Sequence, residues 1–353
     1  MTIQVAVMNG YGLAMASDRH VFRAPDTRST GQDVKLLVLR GSTPAAMMAA
    51  GPFAVFGLPV ARLSLRLERA LAAAAEGPDA LAEATLAVLR APLQGVPAQD
   101  EELLAEVAEQ VLARAADTGR GASSGLEQVL EEIAAAPACR DAEAAAARCD
   151  GAWTRALPAL ADRPRLKAAL REAPALCGRA VAEALAHDWH HSELFLTVGL
   201  CCPATGVPVL LALRLWRGIG GYLHAASRLS GDWEAAWRAG RTVLVAQGSG
   251  RPRVEAMIDG IADDHWNALP GEAQDSLRAG MDRRWDMAHG RLAVSSPREL
   301  AGVAMGLVRG AEVIGYLTRE DEGSIAGVDG LVITPRGVET CGLGAGPELH
   351  IAA

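Results

Sequence analysis

Met1-Thr2-Ile3-Gln4-Val5-Ala6-Val7-Met8-Asn9-Gly10-Tyr11-Gly12-Leu13-Ala14-Met15-Ala16-Ser17-Asp18 is the stretch whose reading decides the fold. Ile3, Val5 and Val7 alternate with Gln4, Ala6 and Met8. Asn9-Gly10 then offers a dipeptide that tolerates two positive φ values, and a second alternating run leads to Asp18; the spacing predicts a β-hairpin. A small residue after Met1 predicts removal of Met1. Thr2 would then carry a hydroxyl and a free α-amine on one residue, a nucleophile with its own base. The competing reading makes Thr2 the frayed start of an edge strand.

Composition narrows the partners. The chain of 353 residues is long enough for one large domain or two ordinary ones. Half of it is hydrophobic but only 4% is aromatic, so the core is expected to rely on small and aliphatic side chains. A net charge of −8, with no Lys/Arg stripe interleaved with aromatics, argues against nucleic acid as a partner. The six cysteines show no CxxC spacing, which points to reduced thiols and a cytoplasmic protein. No apolar run reaches the roughly 18 residues of a membrane span, so no membrane association is expected. Ala14-Met15-Ala16 resembles a signal-peptide cleavage site, but no positively charged segment precedes it and a turn interrupts it.

Outward from the hairpin, residues 19–32 read as a loop, and Asp33–Leu39 and Ala45–Ala50 as a second hairpin in the same sheet. Helical spacing follows through Leu58, Ala61, Leu65 and Leu71, and again over Leu81–Leu89. Residues 95–191 are alanine-rich and helical throughout, with Ser124 and Glu127 reading as a capping box. Strand patterns resume at Leu194–Leu200, Val207–Trp216 and Thr242–Ala246. A glycine-rich stretch and a helix through Trp233 and Trp237 separate the last two. A helix from Val254, a polar stretch to Val294, a helix capped by Ser295 and two short strands, Leu331–Ile333 and Val338–Gly342, complete the chain. The order predicts an α+β protein in four layers, αββα, formed by residues 1–94 and 192–353, with residues 95–191 as an inserted helical subdomain.

Cleaving an amide with a terminal Thr requires a base, a charge that favours the alkoxide, and backbone N–H groups for the oxyanion. An α-amine titrates at about 7.7–8.0, suited to the base. Lys35 is the one basic residue in the apolar strand pair, and Asp18 could hold it by an ion pair. The other reading of each is ordinary: Lys35 guarding a sheet edge, Asp18 a loop carboxylate. The terminal Thr, Ser17-Asp18-Arg19, Val34-Lys35, Ala50-Gly51, Gly248-Ser249-Gly250 and Asp321-x-x-Ser324, in that order, resemble the β-type subunits of the proteasome and their bacterial relatives among the N-terminal nucleophile hydrolases.

That resemblance covers residues 2–89 and 194–342 outside the inserts. It implies a threonine peptidase with Thr2 as nucleophile and base, Asp18 and Lys35 as the charge-setting pair, and the Gly51 N–H as oxyanion donor. Ser249, Asp321 and Ser324 would orient the amine and its water. It further implies peptide or unfolded-protein substrates, no cofactor or metal, and a homo-oligomeric ring, with the helical insert free to engage an ATPase or another partner. Ala49, Ala50 and Phe53 would lie near the pocket for the residue before the cut. The chain departs from the family at His20, in a longer turn before Ala49, and in the Ile-Ala-Gly after Ser324. A non-catalytic assembly subunit and a small-molecule amidase are the alternatives. His187, His190 and His191 have the spacing of metal ligands on one helix face, but no completing ligand is nearby, so a polar junction is the favoured reading. Asp263-Asp264-His265 reads as a loop. Gly218-Ile219-Gly220-Gly221 lacks the spacing of a dinucleotide loop, and no Gly-x-Ser-x-Gly motif occurs.

Overall fold

A computed structural model describes residues 2–19, 35–50, 54–55, 58–74, 77–90, 100–139, 141–160, 163–187, 189, 194–227, 242–247, 251–259, 269–317 and 327–342. Alternation makes the opening hairpin: β1 (Gln4–Asn9) pairs with β2 (Gly12–Asp18), Gln4 opposite Ser17 and Asn9 opposite Gly12. The turn is therefore Gly10-Tyr11, one residue later than the Asn-Gly expectation. Asn9 closes it by accepting a hydrogen bond from the Tyr11 N–H at 2.9 Å.

The second hairpin, β3 (Leu36–Leu39) with β4 (Ala45–Ala50), does not extend the first sheet. It starts the other one. The chain is α+β with two antiparallel five-stranded sheets, of order β10-β1-β2-β11-β12 and β3-β4-β7-β8-β9. Here β7 is Leu194–Cys201, β8 Pro208–Arg217, β9 Leu223–Ser227, β10 Val243–Gln247, β11 Val328–Thr334 and β12 Gly337–Gly342. Two-residue strands β5 (Ala54–Val55) and β6 (Leu58–Pro59) form a separate ladder. Strand β9 was not foreseen, because its Leu-His-Ala-Ala-Ser sequence has little strand character of its own and is recruited by pairing with β8.

Period-two alternation decides which side chains meet. Ala6, Met8, Leu13 and Met15 of the first sheet face Leu36, Ala46, Met48, Leu210 and Ala212 of the second in one buried cluster. Gly199 on β7 lets the sheets approach closely: a Cβ there would meet Leu13 Cδ2 at 2.7 Å and Met15 Sδ at 3.0 Å. On its other face the second sheet carries Met47, Leu196, Val198 and Leu213 against Leu63, Leu67, Leu81 and Leu86 of α1 (Val60–Ala73) and α2 (Pro78–Arg90). The other face of the first sheet carries Ile3, Val5, Val7, Ala14 and Ala16. They pack on Val254 of α8 (Arg251–Asp259) and on Leu300, Ala304 and Val308 of α10 (Pro297–Leu317).

Helix α10 begins one residue later than expected. Ser296 supplies the cap, its Oγ accepting from the Glu299 N–H at 3.3 Å while Glu299 Oε2 accepts from the Ser296 N–H. Ser295 instead closes the preceding helix, α9 (Gly271–Val294), with its N–H on the Leu292 carbonyl. The sequence showed α9 only as a polar stretch, since it has no apolar stripe to reveal its period.

Helices α3 (Asp100–Asp117), α4 (Ala122–Ala134), α5 (Ala142–Leu160), α6 (Pro164–Glu172) and α7 (Pro174–Ala186) share one cluster that includes Leu104, Val111, Val129, Ile133, Trp153 and Val181. Helix α4 starts after Gly121 without a side-chain cap, so Ser124 and Glu127 lie inside it rather than forming the expected capping box. The bundle is anchored to the turn between β8 and β9. Ile219 joins its core, Trp216 Nε1 donates to the Leu185 carbonyl at 2.8 Å, and the Gly220 N–H donates to Asp100 Oδ1 at 2.8 Å. The glycine-rich stretch at 218–221 thus serves as a docking corner: Gly220 has φ 73°, and any Cβ at Gly218 would collide with the His224 ring.

Candidate active site

Hairpin register brings the start of the chain to Asp18. Pairing Gln4 with Ser17 puts Ile3 beside Asp18: the Asp18 N–H donates to the Ile3 carbonyl at 3.0 Å, and the Ile3 N–H donates to Asp18 Oδ1 at 2.8 Å. Thr2 follows at the rim, half-buried. Lys35 arrives from the other sheet. It immediately precedes β3, where its carbonyl accepts from the Ala49 N–H at 3.3 Å. From there its side chain crosses between the sheets, and Nζ lies 2.9 Å from Asp18 Oδ1 and 3.2 Å from Thr2 Oγ1. The Lys35 and Asp18 side chains are only 2% and 1% exposed.

Burial works against charge on Lys35 and moves its ionisation down from the ordinary lysine value; the Asp18 carboxylate, by charge and hydrogen bond, opposes that shift. The ammonium touches the hydroxyl that would have to ionise, and Asp18 fixes its position. A second bridge runs alongside: Gln4 Nε2 donates across the sheets to the Ala49 carbonyl at 2.8 Å. Gln247, on β10 opposite Gln4, is fully buried, and neither of its amide atoms has a hydrogen-bond partner among the described residues. Next to Asp18, the Arg19 guanidinium bonds Asp329, and the Arg19 N–H donates to the Gly327 carbonyl at 3.0 Å.

Thr2, Asp18 and Lys35 therefore come together. Gly51, Ser249, Asp321 and Ser324 lie outside the described residues, as does Phe53. The described chain flanking two of those segments does reach the site: Gln247 pairs with Gln4, and Val328 with Asp18. Ala49 and Ala50 are buried at the end of β4.

Sequence reading missed Glu312. It is 5% exposed, on the face of α10 that packs on β2, and burial followed by the nearby Asp18 charge pushes its carboxyl up to about 8. A signal was present, since Ala301, Met305, Val308 and Glu312 recur at the spacing of one helix face, so the acid stands in an apolar stripe.

Among the described residues no group of three or more His, Cys, Asp and Glu side chains could hold a metal ion. His187 Nδ1 is 3.0 Å from the Ala136 carbonyl and its Nε2 is 3.6 Å from Glu183, which makes it a helix-end residue; His190, His191 and the Asp263-Asp264-His265 stretch lie outside the described residues. The described cysteines are free thiols, with burial raising Cys149 and Cys201 to about 12. No described helix is long and apolar enough to cross a membrane. A scan against protein-family models finds no match, and a search of curated proteins finds none either.

Proposed function

We propose that this chain is a threonine peptidase of the N-terminal nucleophile class, its two sheets and flanking helices forming the four-layer αββα sandwich of that class. One observation carries the reading: Lys35 Nζ bridges Thr2 Oγ1 and Asp18 Oδ1 inside the molecule. An ion pair kept only to protect a sheet edge would face water, whereas this one is buried and touches a hydroxyl at the chain's start.

With Met1 removed, the Thr2 α-amine takes the hydroxyl proton and Oγ1 attacks the scissile carbonyl carbon. The Lys35 ammonium favours the developing alkoxide. Collapse of the tetrahedral intermediate breaks the C–N bond, the ammonium formed on Thr2 returns its proton to the leaving amine, and an ester to Oγ1 remains. Water, deprotonated by the same α-amine, hydrolyses that ester and restores the hydroxyl. By resemblance, the Gly51 N–H would receive the oxyanion, while Ser249, Asp321 and Ser324 would orient the amine and water. Assembly into a closed ring in the cytoplasm, with unfolded chains as substrates and the helical bundle available to a partner such as an ATPase, belongs to the same proposal.

Intact-mass measurement of the purified chain should show Met1 missing, and Thr2→Ala should abolish hydrolysis of a mixed peptide library. Retention of Met1 on the active fraction overturns the mechanism. Parent protein that cleaves acyl-amino compounds but no peptides would make it an amidase of the same class. Equal behaviour of parent and Thr2→Ala on every amide would leave an assembly role.

A further inference from the structure

Glu312 is a carboxyl in a place where a carboxyl is costly. It continues the buried stripe of α10 after Val308 and Ala311, facing β2, and one of its oxygens, Oε1, is buried without a hydrogen-bond partner among the described residues. The other, Oε2, accepts from Arg309 Nη1 at 3.3 Å at the protein's edge. Both members of the buried pair lie within its electrostatic reach, Asp18 opposing its charge and Lys35 favouring it.

The charges around it can be enumerated by element. On β2 the facing group is Asp18, ahead of β3 it is Lys35, and on α10 itself Arg309. Elsewhere on the elements packed around α10, Arg251 of α8 is held by Glu255, and Arg19 after β2 by Asp329. Among the described residues one buried ammonium thus serves two buried acids, and of the two it bonds Asp18 directly and not Glu312.

We propose that Glu312 is a positioning residue for the Thr2 hydroxyl, uncharged while the site works and switching it off on ionising; this rests on the peptidase reading. Uncharged, Glu312 leaves Lys35 and Asp18 balanced, with the ammonium free to favour an alkoxide on Thr2. Ionised, it sets a second carboxylate against the one buried ammonium, with only the half-exposed Arg309 to offset it. Forming a further anion at Thr2 Oγ1 then becomes less favourable, and Lys35 is shared between two carboxylates. With ionisation near 8, the uncharged Glu312 fraction drops about tenfold from pH 7 to pH 9, giving hydrolysis an alkaline limb that opposes the rise expected from the freed α-amine.

The test is a pair of measurements. Peptide hydrolysis against pH is compared for the parent, Glu312→Gln and Glu312→Asp. The alkaline fall should move to higher pH in Glu312→Gln, which cannot ionise, and persist in Glu312→Asp, which can. The Glu312 carboxyl is also titrated by carboxyl-carbon NMR in Thr2→Ala, where a midpoint near 8 is expected, and in Thr2→Ala with Asp18→Asn, where it should drop. This titration still decides if Glu312→Gln fails to fold. An alkaline fall that does not move in Glu312→Gln, a midpoint in the ordinary carboxylate range, or one indifferent to Asp18→Asn overturns the proposal while leaving the peptidase reading intact. Hydrolysis that survives Thr2→Ala overturns both.

Discussion

Lys35 and Asp18 meet at 2.9 Å although one leads into β3 of the second sheet and the other ends β2 of the first. The ion pair is thus a tie between sheets as well as part of the candidate site. Removing one partner strands a buried charge, which costs about 3–5 kcal/mol. Lys35→Met should lower unfolding stability by that order, while Lys35→Met combined with Asp18→Asn should lose distinctly less. Urea unfolding of the single and double variants measures the difference. Peptide hydrolysis should fall by about a hundredfold or more in both, since the charge beside Thr2 Oγ1 is gone.

Glu312 predicts how stability depends on pH. Its folded ionisation is raised from 4.5 to about 8, so between those values the folded chain holds a proton that the unfolded chain has released. Its contribution is complete below about 4.5 and is lost as pH rises through about 8, amounting to a few kcal/mol. Denaturant midpoints should fall across that window in the parent, and the fall should be reduced in Glu312→Gln. Unchanged slopes would contradict the raised ionisation.

Gln4 and Ala49 form the neutral counterpart of the ionic tie. Gln4→Leu keeps the bulk but leaves the Ala49 carbonyl without this donor, which should cost about 1–3 kcal/mol. Because β4 carries both Ala49 and the strand end beside the site, hydrolysis should show a raised KM with kcat less affected. Thermal unfolding and steady-state kinetics together separate the two effects.

Close approach of the sheets at Gly199 is testable by a methyl group. Gly199→Ala drives a Cβ into Leu13, Met15 and Ile333 and should destabilise by about 1–3 kcal/mol. Gly302→Ala, on α10 with open space around its Cβ, should stabilise by about 0.5–1 kcal/mol through helix propensity. Opposite shifts in Tm are the expected result.

Much of the local structure was legible. Alternation from Ile3 to Asp18, helical spacing before Leu71 and around Leu81, and the apolar stripe from Leu300 to Val308 are repeated local signals that place these elements, although Leu58 falls in β6, α1 starts at Val60, and Leu65 is exposed while Leu63 and Leu67 face the core. Elements without such a signal were missed: α9 has no stripe, and β9 depends on β8 for its form. The capping box expected at Ser124 does not form and the cap expected at Ser295 falls at Ser296, because cap identity depends on where the backbone enters the helix, which side-chain type alone does not decide.

By itself, the sequence determined that the opening stretch folds back as a hairpin, but the Asn9-Gly10 turn it suggests would pair Ile3 with Ala16; the Gly10-Tyr11 turn of the structure is what sets Asp18 beside Ile3. The sequence also offered Thr2 and Lys35 as reactive residue types. Only the tertiary structure decided that the second hairpin belongs to the facing sheet. That placement turns Lys35 from a possible edge charge into a buried ammonium against Asp18 and Thr2, and it seats Glu312 behind the pair. The physical reason is that pairing within a hairpin is local, whereas the choice between one sheet and two depends on how apolar faces far apart in the chain bury one another. Charge buried between those faces takes its properties from that choice.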